Sequence, residues 1–209
     1  MNQLEWSEPK KIIFETAIEL FSRYSFESVS LNDIGKYIGK RKSGIYNHFS
    51  SKQEILDEIY DYFCDHFYDG RLSVKEMDPI IRVKGLMEII DTINFIFTDE
   101  IKEKMLKILR IIHQRKYHDD RARDIAKTII IDESIAYGEA VFDYAIEIGR
   151  LAPFDTHTLA LLLNNCRQTT YARLILEPTD EYYELLVEEE KRIYRCASKL
   201  ITELNITDK

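Results

Sequence analysis

Between Ser30 and Phe49 the chain reads SLNDIGKYIGKRKSGIYNHF, and two short helical patterns meet there at a glycine. Ser30 can cap a helix whose inward positions are Leu31, Ile34, Tyr37 and Ile38, and Asp33 at the third helical position answers the cap as a shortened capping-box residue. Gly39, free to take a positive φ, ends that helix. A second helix begins near Arg41 to Ser43 and turns Ile45 and Phe49 inward. It leaves Lys42, Ser43, Gly44, Tyr46, Asn47 and His48 around its outer side. Two short helices joined by a glycine turn make a helix-turn-helix.

Charge gives this segment a direction. No acidic residue occurs from Ile34 through Gln53, while Lys36, Lys40, Arg41, Lys42 and Lys52 are cationic. The chain's net charge is −8, so with +5 placed here the remainder carries −13. A local excess of positive charge in an acidic protein calls for a polyanionic partner or is a solvated loop. The helical spacing of the apolar residues favours the partner, and duplex DNA is the one expected.

Upstream, Ser7 and Pro9 mark the start of a helix in which Ile13, Ala17, Leu20 and Phe21 recur at helical spacing. The run from Glu8 to Leu56 carries Ala17, Leu20-Phe21, Phe26, Ile34, Gly39, Ile45-Tyr46, His48-Phe49, Lys52 and Ile55-Leu56. It resembles the N-terminal domain of the tetracycline-repressor (TetR) family. The resemblance implies an operator-binding regulator, most simply a repressor. Four positions depart from the family pattern: Ser25 replaces a glycine, Lys40 a small apolar residue in the turn, and Ser43-Gly44 the usual Gly-Thr. Gly44 thereby lacks the hydroxyl that reaches a phosphate. Base reading is expected from Lys42, Ser43, Tyr46 and Asn47, early and central on the recognition helix. Phosphate anchoring is expected from Ser30, Lys40, Arg41, His48 and Lys52.

Composition settles the class. Only seven glycines and four prolines in 209 residues argue against an all-β protein with many tight turns, and 45% hydrophobic content suffices for a buried core. The expectation is an all-α chain: a three-helix head with the helix-turn-helix over residues 1–52, then a helical effector-binding and dimerisation body over 53–209. The boundary falls where the basic segment gives way to Glu54, Asp57, Glu58 and Asp61. Cys64, Cys166 and Cys196 are odd in number and far apart, so neither a disulfide framework nor a cysteine zinc site is indicated, and a reducing cytoplasm is the expected compartment. No stretch reads as a signal peptide or a membrane span, and a soluble, unprocessed protein is expected. Neither Cys64 with His66 nor His113 with His118 has the spacing of paired metal ligands. With no phosphate-binding glycine loop, GxSxG or HExxH, neither an enzyme nor a cofactor is expected.

Behind the head, Leu56, Ile59, Tyr60, Phe63 and Phe67 keep helical period up to Asp69-Gly70. Asp78-Pro79 should start a helix carrying Val83, Leu86, Ile90, Ile93 and Phe97; Ile101 to Ile112 define another, and a long one runs from about Ala122 to Ile148. Asp155 or Thr156 caps a leucine-rich helix apolar nearly all round, which Pro178 ends; Thr179 caps the last helix. In the TetR family the final pair meets its copy in a four-helix interface, which points to Leu159, Leu163, Ile193, Ala197 and Leu200 for a homodimer; periodicity alone allows simple core. Polar and aromatic residues on apolar stripes, Asn94, His113, Ser134, Tyr137 and Tyr144, then Asn164, Gln168 and Tyr171, could together line a pocket for a small, largely hydrophobic effector. The alternative reading is a TetR-like protein-interaction subunit that has lost operator reading.

Overall fold

The computed structural model describes residues 6–69, 71–93, 99–176 and 180–207, and every regular element among them is helical. Two compact units result, residues 1–69 with 97–126 and residues 70–96 with 127–209. The boundary expected at 52/53 lies inside the first unit. No described helix is long and apolar enough to cross a membrane.

The first unit contains α1 (Glu8–Tyr24), α2 (Leu31–Tyr37), α3 (Lys42–Tyr46), α4 (Lys52–His66), α7 (Asp99–Arg115) and α8 (Asp120–Asp124). Helix α1 is its axis and packs on α2, α4 and α7. Its inner positions Ile13, Phe14, Ala17, Ile18 and Phe21 are at most 1% exposed, each large one contributing on the order of 1.5–3 kcal/mol. Trp6 closes one end, edge-on to Phe14 at 5.1 Å and to Phe49 at 6.1 Å, with Lys10 Nζ 4.1 Å over its ring. Ion pairs run along the outside of α1 and α7: Lys104 with Glu15, and Lys107 with Glu19 at 2.7 Å. Arg115 bridges Glu27 and Asp119 and lies 4.8 Å from the Phe26 ring centre.

The second unit holds α5 (Val74–Val83), α6 (Leu86–Ile93), α9 (Glu133–Glu147), α10 (Thr156–Leu176) and α11 (Asp180–Thr207). Helix α9 packs on α5 and α10, and α11 packs on α10 and α6. Met77, Ile81, Ile90, Val141, Phe142, Leu159, Leu163, Tyr194 and Ala197 belong to one core. Where one helix from Asp78-Pro79 was expected, there are two. The first starts earlier, because Ser73 and Glu76 form a capping box, and it tolerates Pro79 in its interior. Val83, expected inward, ends that helix and is 73% exposed.

The expected long helix from Ala122 is interrupted too. Ile125–Asp132 is π-helical before α9 resumes α geometry. Side chains reach carbonyls of this segment: Ser134 Oγ donates to Ile129 O at 3.2 Å, while Asn164 Nδ2 and Gln168 Nε2 donate to Ile130 O at 3.2 and 3.4 Å. Between α10 and α11, the buried Glu190 carboxylate accepts from Thr170 Oγ1 at 3.2 Å, Arg167 Nε at 3.3 Å and the Tyr194 hydroxyl. Burial pushes its pKa up, opposed by Arg167.

Candidate nucleic-acid interface

Helix α2 begins with the capping box expected. Asp33 N donates to Ser30 Oγ at 3.2 Å, and Asp33 Oδ2 accepts from Ser30 N and Oγ at 3.0 and 2.6 Å. Those bonds, the Ser30 hydroxyl first, hold the Asp33 carboxyl below its usual range. Gly39 then takes φ +69° and reverses the chain, which a residue with a Cβ adopts only at a cost. Tyr37, expected inward, is 64% exposed, because the helix buries Leu31, Ile34 and Gly35 and stops before another inward position.

Helix α3 is anchored from beneath by Ile45 and by Phe49 just beyond it, which are 0% and 1% exposed. That fixes its outer side. Lys40, Arg41, Lys42, Ser43, Tyr46 and Asn47 are all exposed, with His48 half-buried. Lys42 Nζ lies 5.5 Å from the Tyr46 ring centre, so cation and ring share one surface. Lys10, Lys104, Lys107, Arg115 and Arg121 elsewhere in this unit each meet a carboxylate. Among the described residues Lys36, Lys40, Arg41 and Lys42 meet none within 4.0 Å. Lys36 was left out of the expected contacts, although its place two residues past buried Ile34 puts it on the outer side.

Lys52 is placed differently from the other cations. Its ammonium turns inward, donates to Phe26 O at 2.7 Å and Val29 O at 2.8 Å, and sits 4.1 Å over the Phe26 ring. Burial lowers its pKa, against the pull of Glu27. It fixes the α1–α2 loop, and at most one of its three N–H donors remains for a phosphate.

The polar residues expected to line a pocket are divided between the two units. Asn94 and the side chain of Leu200 lie outside the described residues, as do Phe97, Pro178 and Thr179. Tyr137 donates to Leu72 O at 2.6 Å, the Tyr144 hydroxyl to Asp78, and Ser134 to its own helix. Asn164 and Gln168 meet at Ile130 O, and Tyr171 is 2% exposed. Two of these expected pocket residues have a buried atom with no hydrogen-bond partner among the described residues, His113 Nε2 on α7 and Asn164 Oδ1 on α10. Burial pushes the His113 imidazole down to about 4, with Lys116 adding to the effect.

Three of the residues expected at a dimer seam, Leu159, Leu163 and Ala197, are instead buried in the second unit's own core. Ile193 is exposed, and so are Leu161 and Leu162 of the leucine-rich stretch and Leu185, which was not singled out. The signal available was the all-round apolarity of α10, which leaves leucines over after one face has been used for the core.

Residues 13–59 match the family model described as bacterial regulatory proteins, tetR family. Over 99 residues the chain is 27% identical to the biofilm operon icaADBC HTH-type negative transcriptional regulator IcaR of Staphylococcus epidermidis, covering 47% of this chain and 50% of that protein. Over 106 residues it is 27% identical to the HTH-type transcriptional regulator AcrR of Shigella flexneri, covering 50% and 49%. The chain thus spans half or less of the curated relatives' length. Its fold is that of Salmonella enterica GusR, with TM-score 0.58 at 16% identity over 96% of this chain and 98% of that one. It is also that of the TetR family regulator PfmR from Thermus thermophilus, with TM-score 0.56 at 18% identity over 90% and 96%.

Proposed function

We infer that this chain, a member of the TetR family, is a DNA-binding transcriptional repressor. The observation that carries the reading is the run of exposed cations Lys36, Lys40, Arg41 and Lys42 along α2, the turn and the start of α3, which meet no carboxylate among the described residues, beside an open Tyr46 and Asn47. Charges left solvated this way are free to neutralise phosphates. Lys42, Ser43, Tyr46 and Asn47 read base edges in the major groove; Ser30, Lys40, Arg41, His48 and the remaining N–H of Lys52 hold the backbone.

Two copies associate through α10 and α11, supported by the exposed Leu161, Leu162, Leu185 and Ile193. The pair spans successive major grooves about 34 Å apart on a near-palindromic operator. Residues 1–52 do the reading, and the helical body over 53–209 holds the dimer and a small, largely hydrophobic effector. Within the second unit, Asn164 Oδ1, buried without a hydrogen-bond partner among the described residues, is a polar handle for such a molecule. Effector binding favours a state with the recognition helices wrongly spaced, at a coupling of about 1–3 kcal/mol.

The test is a gel shift on DNA upstream of the chain's own gene at several salt concentrations. Each phosphate neutralised adds about −0.9 to the slope of log affinity against log salt. Absence of salt-dependent binding to any fragment of the locus refutes the reading.

A further inference from the structure

Three glycines stand within ten residues of one another in the helix-turn-helix, and two have structural reasons. A Cβ on Gly35 would meet the Lys40 carbonyl oxygen at 2.7 Å, closer than real contacts allow. Gly39 has its positive φ of +69°. Gly44 has neither reason: its φ is not positive, and a Cβ built on it meets no atom within 4 Å. It lies in the middle of the five-residue helix α3, where glycine is among the worst helix formers. The fold would be served better by alanine.

A glycine the fold does not need is accounted for where another molecule comes nearer the backbone than a Cβ permits. Gly44 is one helical step from buried Ile45, on the flank between that core anchor and the outermost positions Ser43 and Asn47. When those outer residues face the floor of a groove, this flank faces its rim. The Gly44 N–H already donates to Arg41 O at 2.9 Å, so what the glycine contributes is room rather than a donor.

We propose that Gly44 sets the depth at which α3 seats in the operator, its missing side chain letting the helix backbone close against the phosphate rim so that Ser43 and Asn47 reach the base edges. This rests on α3 being the recognition helix. A methyl group at this point stands the helix off by roughly 1.5 Å, the length of a carbon–carbon bond. Hydrogen bonds to bases, made at 2.7–3.2 Å or not at all, do not survive that displacement.

The experiment compares wild type, Gly44→Ala and Gly44→Thr as full-length protein, measuring thermal midpoint, affinity for the operator fragment and affinity for random duplex. Gly44→Ala should melt higher than wild type yet bind the operator about tenfold or more weakly, the scale of one lost base contact, with random-duplex affinity little changed. Gly44→Thr, bulkier, should lose more. Operator binding by Gly44→Ala equal to wild type, or a lowered melting point, overturns the proposal. Tighter binding by Gly44→Thr, whose hydroxyl could reach a phosphate, overturns it as well. A wild type that binds no locus fragment removes the recognition-helix reading itself; a wild type that binds while Gly44→Ala is indifferent removes only the role of Gly44.

Discussion

The Lys52 ammonium donates to the Val29 carbonyl at 2.8 Å, tying the first turn of α4 to the residue that precedes the Ser30 cap. Its second bond, to Phe26 O, makes it a clamp on the loop that aims α2. Replacing it with methionine, which keeps most of the apolar stem, should cost about 1–2 kcal/mol of stability through the lost charge-assisted bonds. Lys42→Ala should leave stability unchanged and flatten the salt slope by about 0.9. Urea melts and salt-dependent gel shifts on the two variants separate clamp from phosphate contact; an unchanged melt for Lys52→Met counts against the clamp.

Ser25 ends α1 at φ 73° and ψ 154°, a region that only glycine enters readily. Its hydroxyl meets that of Ser28 at 3.2 Å, an exposed bond that offsets little. Ser25→Gly should therefore raise stability by about 1 kcal/mol, strain relief outweighing the added freedom of the unfolded chain. Ser25→Ala keeps the strain and should not stabilise. Chemical denaturation of both variants checks the difference.

His113 predicts a pH dependence. Its folded pKa, pushed by burial from 6.5 to about 4, makes the unfolded chain the better proton acceptor between those values. Stability is thus complete above about pH 6.5 and falls as pH drops through the window to 4, by roughly 3 kcal/mol for this group. His113→Leu should remove that part of the acid sensitivity. Denaturation midpoints at pH 7, 5.5 and 4.5 provide the measurement; parallel profiles for variant and wild type would contradict the assignment.

Charge placed on α10 and α11 should act in two distinct ways. Ile193 and Leu162 are 46% and 42% exposed, so Ile193→Glu or Leu162→Glu should give folded monomers that no longer grip the operator. Ala197 is 6% exposed within the second unit's core, and Ala197→Glu should unfold the protein, since a buried unpaired charge costs several kcal/mol. Sedimentation velocity with circular dichroism distinguishes these results. Dimers persisting in both surface variants would move the interface elsewhere.

The head was legible because local rules agree there: cap, glycine turn and apolar spacing each identify the same two helices, as at Ser30, Gly39 and Ile45. Lys52 was not, since sequence gives its charge but not the two carbonyls of a distant loop that capture it. Beyond the head, helical periodicity identifies an apolar face without saying what covers it. Leu163 and Leu162 are neighbours of one type, and tertiary packing alone buries the first and exposes the second. The π-helical segment Ile125–Asp132 leaves no mark in the apolar pattern, and its hydrogen bond from Asn164 comes from another helix, far off in sequence.

The solvated cations Lys36, Lys40, Arg41 and Lys42 also bear on how quickly the protein finds a target. The segment from Ile34 to Gln53 carries +5 in a chain of −8, so under the proposed function a polyanionic duplex attracts this segment and repels the more acidic remainder within a Debye length, about 8 Å at physiological ionic strength. Encounters led by the recognition surface survive that filter. Under the proposed function, chance collisions are thereby sorted by orientation before any base is read.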